Sequence, residues 1–104
     1  MGDKSWKAWE RRIAAYLGPE AKRRGADFGG RTGGKDDVIH SVYSVEAKLL
    51  SKPTFGLMLE ACRQAEANAE EGKIPVAVVK KKRSLDMDAL VVMRLERWLQ
   101  AIGE

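Results

Sequence analysis

The chain has 104 residues, enough for one modest hydrophobic core, and we expect a single domain over residues 1–104. Hydrophobic residues make up 44% and charged residues 33%, a balance typical of a globular protein and not of a disordered one. The apolar runs are only a few residues long, so we expect neither a membrane-spanning helix nor a membrane partner. The formal net charge of +4 is a mild bias towards polyanionic partners.

Two further features concern the compartment. The first residues, MGDKSWKAWERR, are polar and charged and lack the apolar segment of a signal peptide. Cys62 is the only cysteine, so no internal disulfide can form. We therefore expect a cytoplasmic protein in a reducing environment.

The first half of the chain predicts a helix, a loop and a hairpin. The helix covers about Ser5 to Leu17 and ends at Gly18-Pro19. The segment PEAKRR that follows is compatible with a further helical turn. Residues 25–34 include five glycines and predict a loop or a short irregular strand. Two strands follow, about Asp37 to His40 and Val42 to Leu49, and their short connection indicates an antiparallel hairpin.

The second half predicts a helix, two strands and a closing helix. Thr54 is a suitable N-cap for a helix over about Phe55 to Glu71, which Gly72 ends. The run IPVAVVKK predicts a buried strand that is parallel to the strand before this helix. DALVVMRL predicts another strand and ERWLQAIG a helix. The order α-β-β-α-β-β-α predicts the α/β class, with a mixed central β-sheet flanked by helices.

A carboxylate interrupts the apolar face of the first predicted helix. At about 100° per residue, Trp6, Ile13 and Leu17 form a narrow stripe, with Trp9 and Tyr16 beside it. Glu10 falls inside this stripe. An isolated buried carboxylate costs roughly several kcal/mol unless it is paired, protonated or bound to a cation. Glu10 therefore has two possible environments. It lies at the rim of the apolar face, where it reaches solvent or pairs with a neighbouring Lys or Arg, or it is part of a cation site.

A second acidic group lies in the predicted hairpin. Side chains alternate along a strand, so Glu46 and Lys48 share one face. Asp37 begins the adjacent strand, where a hairpin or bulge can bring it beside Glu46. Two carboxylates this close repel unless a cation lies between them, and oxygen-only ligands suit Mg²⁺ or Mn²⁺. The alternative is an ion pair of Glu46 with Lys48 on an exposed sheet, worth about 0.2–1 kcal/mol.

Lys48 would complete a hydrolytic site. Phosphodiester hydrolysis needs an activated water and stabilisation of negative charge on phosphorus, which a metal ion and a neighbouring ammonium can supply. Basic clusters at residues 22–24, 31–35 and 80–83 favour a nucleic-acid partner. The pattern therefore predicts a metal-dependent nuclease. The alternative from another class is a DNA-binding module whose acidic and basic groups are only surface pairs.

The ordered motifs WERR, DDVI, VEAK and QAEANAEEGKIPVAVVKK resemble the PD-(D/E)XK nuclease superfamily. Within it, the chain is most similar to the archaeal-type Holliday junction resolvases, including phage-encoded versions. The resemblance covers nearly the whole chain and implies a restriction-endonuclease-like fold. It also implies a homodimer that resolves four-way junctions, or other branched DNA, by paired nicks with Mg²⁺, for which Mn²⁺ can substitute. A phage-encoded version would act in the host cytoplasm, in DNA recombination and repair.

The resemblance assigns roles to individual residues. Asp36 occupies the position of the motif's proline. The residues that match the catalytic positions are Glu10, Asp37, Glu46 and Lys48. The implied metal ligands are Asp37, Glu46, Glu10 and the main-chain carbonyl of Ala47. We expect DNA contacts from Arg11, Arg31, Thr32, Lys35, Gln64 and Lys80. A less selective nuclease of the same superfamily, acting on duplex, flap or branched DNA, is the alternative among enzymes.

Overall fold

The structure is a computed structural model, and it describes residues 5–24 and 36–103. Within these ranges a five-stranded mixed sheet, in the order β1-β2-β3-β4-β5, is flanked by three α-helices. None of the helices in this part of the chain is long and apolar enough to cross a membrane. The elements are α1 (Ser5–Leu17), β1 (Lys22–Arg23), β2 (Val38–Ile39), β3 (Tyr43–Leu50), α2 (Phe55–Asn68), β4 (Ile74–Lys81), β5 (Leu90–Val92) and α3 (Leu95–Ile102), with a 3₁₀ turn at Asp86–Asp88.

The predicted α/β class with a mixed sheet is confirmed, but the predicted order lacks one strand. Gly18 adopts a left-handed φ of 96° and ends α1 where the sequence predicted. The chain does not continue as a helical turn, because Lys22 and Arg23 pair antiparallel with Ile39 and Val38. Pairing to a sheet edge overrides the weak local preference for helix, and a strand of two residues has no readable alternation in the sequence.

The strand pairings follow the predicted pattern. β2 and β3 form the antiparallel hairpin, and β3 runs parallel to β4 with Glu46 opposite Ala77. β5 is antiparallel to β4 at the edge of the sheet. The Thr54 side chain accepts a hydrogen bond from the Leu57 N–H at 3.1 Å, as expected of an N-cap. α2 ends at Asn68, earlier than predicted, and Gly72 lies in the turn that follows.

Each face of the sheet has its own apolar cluster. Trp9 and Ile13 of α1 pack on Val38, Val45 and Val76. The other face packs against α2, and its cluster consists of Ala61, Ala65, Ala77 and Val79.

The buried stripe of α1 is centred differently from the prediction. Trp6 is 50% exposed, whereas Trp9 is only 2% exposed, so the stripe runs through Trp9, Ile13 and Ala14. The indole N–H of Trp9 donates to the Lys48 carbonyl at 3.1 Å and ties α1 to β3. Glu10 remains inside the buried stripe. The helix therefore delivers one carboxylate to the interior beside the sheet.

Candidate active site

The position of Asp37 is set by an irregularity in the strand pairing at the start of β2. Val38 pairs with Val45 in the strand register, yet the Asp37 N–H also donates to the Val45 carbonyl at 2.9 Å. Two residues of one strand thus oppose one residue of the other, as in a β-bulge, which redirects side chains. The Asp37 Oδ2 accepts a hydrogen bond from the Ala47 N–H at 2.9 Å. The carboxylate is therefore held beside the segment that contains Glu46 and Lys48.

Glu46 projects from β3 into a buried environment. It is 4% exposed, and its Oε1 accepts a hydrogen bond from the Asn68 side-chain amide at 3.3 Å. The Lys48 Nζ lies 3.9 Å from Glu46 Oε2, and the Lys48 side chain is 28% exposed. The predicted shared face of Glu46 and Lys48 agrees with this geometry. The alternative was an ion pair of these residues on an exposed sheet: the pair is present, but the Glu46 carboxylate is buried and not on an exposed sheet.

The carboxylates of this site disfavour one another's charged form. The pKa of Asp37 is raised to about 6, chiefly by burial. The Ala47 N–H partly offsets this effect, and the charge of Glu10 contributes to the rise. Burial, followed by the charge of Asp37, raises the pKa of Glu46 to about 7. Lys48 lowers both pKa values only in part. The site thus concentrates buried negative charge that its own residues do not fully compensate.

Glu10 belongs to the same region but has a strong partner. Arg23 of β1 donates from Nε to Glu10 Oε1 at 2.6 Å. Of the two alternatives for Glu10, pairing with a neighbouring basic residue is present, but the carboxylate is buried and does not lie at the rim. The sequence left pairing with a basic residue open but did not identify Arg23, because its segment was compatible with a helical turn and was not predicted as a strand.

A second ion pair supports the backbone next to the site. Asp36 is 2% exposed, and its Oδ1 accepts a hydrogen bond from Arg24 Nε at 2.8 Å. The Ser44 hydroxyl donates to Asp36 Oδ2 at 2.5 Å. Asp36 therefore fixes the backbone that precedes Asp37. Sequence reasoning also missed Arg24, Ser44 and Asn68. The adjacent basic residues at 23–24 and the adjacent acids at 36–37 were a usable signal for an ion pair between these two segments, which Arg24 forms with Asp36.

The oxygen atoms at this site suit a hard divalent cation. The Val42 and Leu50 carbonyls accept hydrogen bonds from the N–H groups of Ile74 and Lys82. The backbone N–H and carbonyl groups of the even-numbered residues of β3 therefore point towards β4. The N–H and carbonyl of Ala47 therefore both point towards β2, the side on which Asp37 lies. Mg²⁺ commonly uses one or two carboxylates and keeps several waters. Asp37, Glu46 and the Ala47 carbonyl fit such a site, since a cation would relieve their buried, repelling charge.

The described ranges contain no group of three or more His, Cys, Asp or Glu side chains placed as metal ligands. This agrees with Glu10 being engaged by Arg23 at 2.6 Å. The carboxylates that remain for a cation are those of Asp37 and Glu46.

Of the residues predicted to contact DNA, those that the structure describes lie on different elements. Arg31, Thr32 and Lys35 lie outside the described residues. Arg11 is exposed on α1 and Gln64 is exposed on α2. The amide of α2 that contacts Glu46 belongs to Asn68, one turn beyond Gln64.

The prediction that Lys80 contacts DNA is corrected by its burial. Lys80 is 5% exposed, donates to the Ser84 carbonyl and lies 3.7 Å from Asp86. Its ammonium also lies 5.9 Å from the centre of the Trp9 ring. Lys80 is therefore engaged inside the protein and is not an exposed phosphate contact. Its position on β4 turns it towards α1, whereas the next three residues of the basic cluster are exposed.

Comparisons with protein-family models, with curated proteins and with solved structures found no match to this chain. Its function is therefore inferred from the residues described above.

Proposed function

We propose that this protein is a metal-dependent nuclease of the PD-(D/E)XK type that hydrolyses phosphodiester bonds in DNA. The observation that supports this most strongly is the convergence of Asp37 and Glu46 beside the Lys48 ammonium, with Ala47 N–H on Asp37 at 2.9 Å and Lys48 at 3.9 Å from Glu46. Buried, mutually repelling carboxylates are costly for stability and are typical of functional sites.

The chain's own residues divide the work in this proposal. Asp37, Glu46 and the Ala47 carbonyl would hold Mg²⁺, or Mn²⁺ in its place. The bound ion supplies Lewis-acid stabilisation of the phosphate and lowers the pKa of a water molecule. The Ala47 N–H orients the Asp37 carboxylate, and the Asn68 amide orients that of Glu46. Such supporting hydrogen bonds keep ligands in a productive orientation before the ion binds.

Lys48 is the side chain that we expect to contact the reacting atoms. Its side chain is partly exposed, so its ammonium can reach a substrate phosphate while remaining 3.9 Å from Glu46. There it would donate a hydrogen bond to the attacking water or to a phosphate oxygen, and stabilise the charge that develops on phosphorus. The hydrogen bond from Trp9 to the Lys48 carbonyl holds the backbone from which the side chain extends.

A basic turn after β4 supports DNA as the substrate. An open cavity of about 580 Å³ is lined by Ser51, Lys81, Lys82, Arg83 and Ser84. β3 and β4 are parallel, with Lys48 opposite Val79 and Leu50 opposite Lys81. The turn therefore lies beside the C-terminal end of β3, close in the register to Lys48. Cationic side chains here would contact backbone phosphates, which gives an affinity that falls steeply with salt and reads little sequence.

The finer proposal, which comes from the resemblance, is a homodimer that resolves four-way junctions. An exposed apolar surface on α3 supports an association between two copies: Trp98 and Ile102 are both exposed there. A two-fold dimer would present two sites to a substrate with two-fold symmetry. Cleavage of four-way, flap and linear duplex DNA would separate this activity from that of a less selective nuclease.

The test is cleavage of a labelled four-way junction and of linear duplex of equal length, with and without Mg²⁺, read on a denaturing gel. We expect Glu46→Gln to abolish cleavage while junction binding survives. Glu60→Gln is the matched control, because Glu60 is an exposed acid of the neighbouring helix α2, and this variant should cut as the parent does.

Each outcome of this test is informative. Paired symmetric nicks in the junction alone support resolution, and equal cutting of duplex supports the less selective nuclease. Cleavage by Glu46→Gln at the parent's rate contradicts the proposed site. If the parent protein never cuts in Mg²⁺ and binds DNA with full affinity in EDTA, the protein is a DNA-binding module and not a nuclease.

A further inference from the structure

Arg23 and Glu10 form a short ion pair inside the region that we assign to metal binding. We propose that the guanidinium of Arg23 takes the place of a second metal ion, so that the site holds a single divalent ion between Asp37 and Glu46. This inference rests on the proposed function, and it answers a question the sequence leaves open, namely the number of ions at the site.

The fold holds Arg23 in this position. Arg23 pairs with Val38 in the β1–β2 register, and the Arg24 N–H donates to the Asp37 carbonyl at 2.9 Å. The backbone immediately after β1 is thus hydrogen-bonded to Asp37, which supplies one of the proposed metal ligands. From this strand, Arg23 Nε reaches Glu10 Oε1 at 2.6 Å, with side-chain exposures of 27% and 9%. The guanidinium of Arg23 is therefore held by the same part of the sheet that holds the proposed metal ligands.

The chemistry of the pair disfavours Glu10 as a metal ligand. A charge-assisted hydrogen bond of this length is among the strong ones, and it uses the lone pair of one carboxylate oxygen. The guanidinium of Arg23 places a positive charge directly beside Glu10. A divalent ion at Glu10 would have to displace this charge or lie next to it. Glu46 has a weaker partner, since its carboxylate lies 3.9 Å from Lys48.

The first test is the number of Mn²⁺ ions bound per chain, measured by isothermal titration calorimetry and by electron paramagnetic resonance of free Mn²⁺. We expect one ion per chain in the parent protein. Glu10→Gln can keep a hydrogen bond to Arg23, and it should bind one ion with a Kd within about threefold of the parent's. Glu46→Gln should weaken binding by at least about tenfold, because it removes a ligand.

The second test removes the guanidinium. Arg23→Gln should bind two ions per chain, because Glu10 becomes available, and the double variant with Glu10→Gln should return to one. Arg63→Gln is the matched control, since it removes the charge of an exposed arginine on α2 and should leave the number at one. Circular dichroism establishes whether Arg23→Gln is folded. If it is not, Glu10→Gln decides the question alone.

Several results would overturn the inference. They are two ions in the parent protein, a loss of affinity in Glu10→Gln as large as in Glu46→Gln, or a single ion in folded Arg23→Gln. These failures differ from a failure of the proposed function. Two ions together with Mg²⁺-dependent cleavage would remove only the single-ion inference. The absence of both Mn²⁺ binding and cleavage in the parent protein would remove the nuclease proposal as well.

Discussion

Replacing Glu46 with glutamine should stabilise the protein in the absence of metal, in a way that depends on pH. Burial, followed by the charge of Asp37, raises the pKa of Glu46 from 4.5 to about 7 in the folded protein. The folded state therefore holds this proton more tightly than the unfolded state does. The stability that the protonated carboxyl contributes is fully present below about 4.5 and is lost as pH rises through about 7. The glutamine side chain of the Glu46→Gln variant would stay neutral throughout and could still accept the Asn68 hydrogen bond.

The size of the effect follows from the two pKa values. A rise from 4.5 to about 7 corresponds to about 3 kcal/mol, at about 1.4 kcal/mol for each pH unit. Glu46 titrates together with Asp37, which shares the repulsion between them, so we expect Glu46→Gln to raise the free energy of unfolding by about 1–3 kcal/mol at pH 8 in EDTA. At pH 4 the difference between variant and parent should approach zero, because Glu46 is then protonated in both states of the parent.

The assay is urea denaturation at pH 8 and pH 4, followed by tryptophan fluorescence and carried out in EDTA. Adding Mg²⁺ at pH 8 should stabilise the parent by mass action and reduce or reverse its deficit, whereas Glu46→Gln should gain little. Glu60→Gln, on the exposed surface of α2, should change the free energy of unfolding by no more than about 0.5 kcal/mol at either pH. A destabilised Glu46→Gln at pH 8, or a difference that does not vary with pH, would refute the reasoning.

Three further outcomes follow from the structure. Arg24→Met should lower the free energy of unfolding by about 3–5 kcal/mol in urea denaturation, because it leaves Asp36 buried without its ion-pair partner. A loss below about 1 kcal/mol would contradict a structural role for the pair. Lys48→Gln should abolish cleavage on the denaturing gel yet bind Mn²⁺ with a Kd within about threefold of the parent's, and residual cleavage at the parent's rate would remove Lys48 from the mechanism. Gly18→Ala should lower the melting temperature, at a cost of about 1 kcal/mol, because φ is 96° there, whereas Gly56→Ala in α2 should not lower it; equal effects of the two would contradict the strain at Gly18.

The features that depend on local geometry could be predicted from the sequence. The end of α1 followed from the glycine after Leu17, and the start of α2 followed from the Thr54 cap. The strand β4 followed from its β-branched run, and its parallel pairing from the helix that precedes it. Glu46 and Lys48 were placed on one face because alternation along a strand is fixed by the backbone. The nuclease activity, the metal and the junction substrate stay predictions.

The assembly of the site depends on the folded chain as a whole. The two-residue strand β1, the bulge at Asp37 and the ion pair of Glu10 with Arg23 all require contacts between distant segments. The same holds for Lys80, which a basic cluster in the sequence makes look exposed and which packs against α1 instead. Local propensities differ by less than about 1 kcal/mol per residue, so pairing partners far away in the chain settle such positions. A sequence shows which charges exist, and the fold determines which of them neutralise each other.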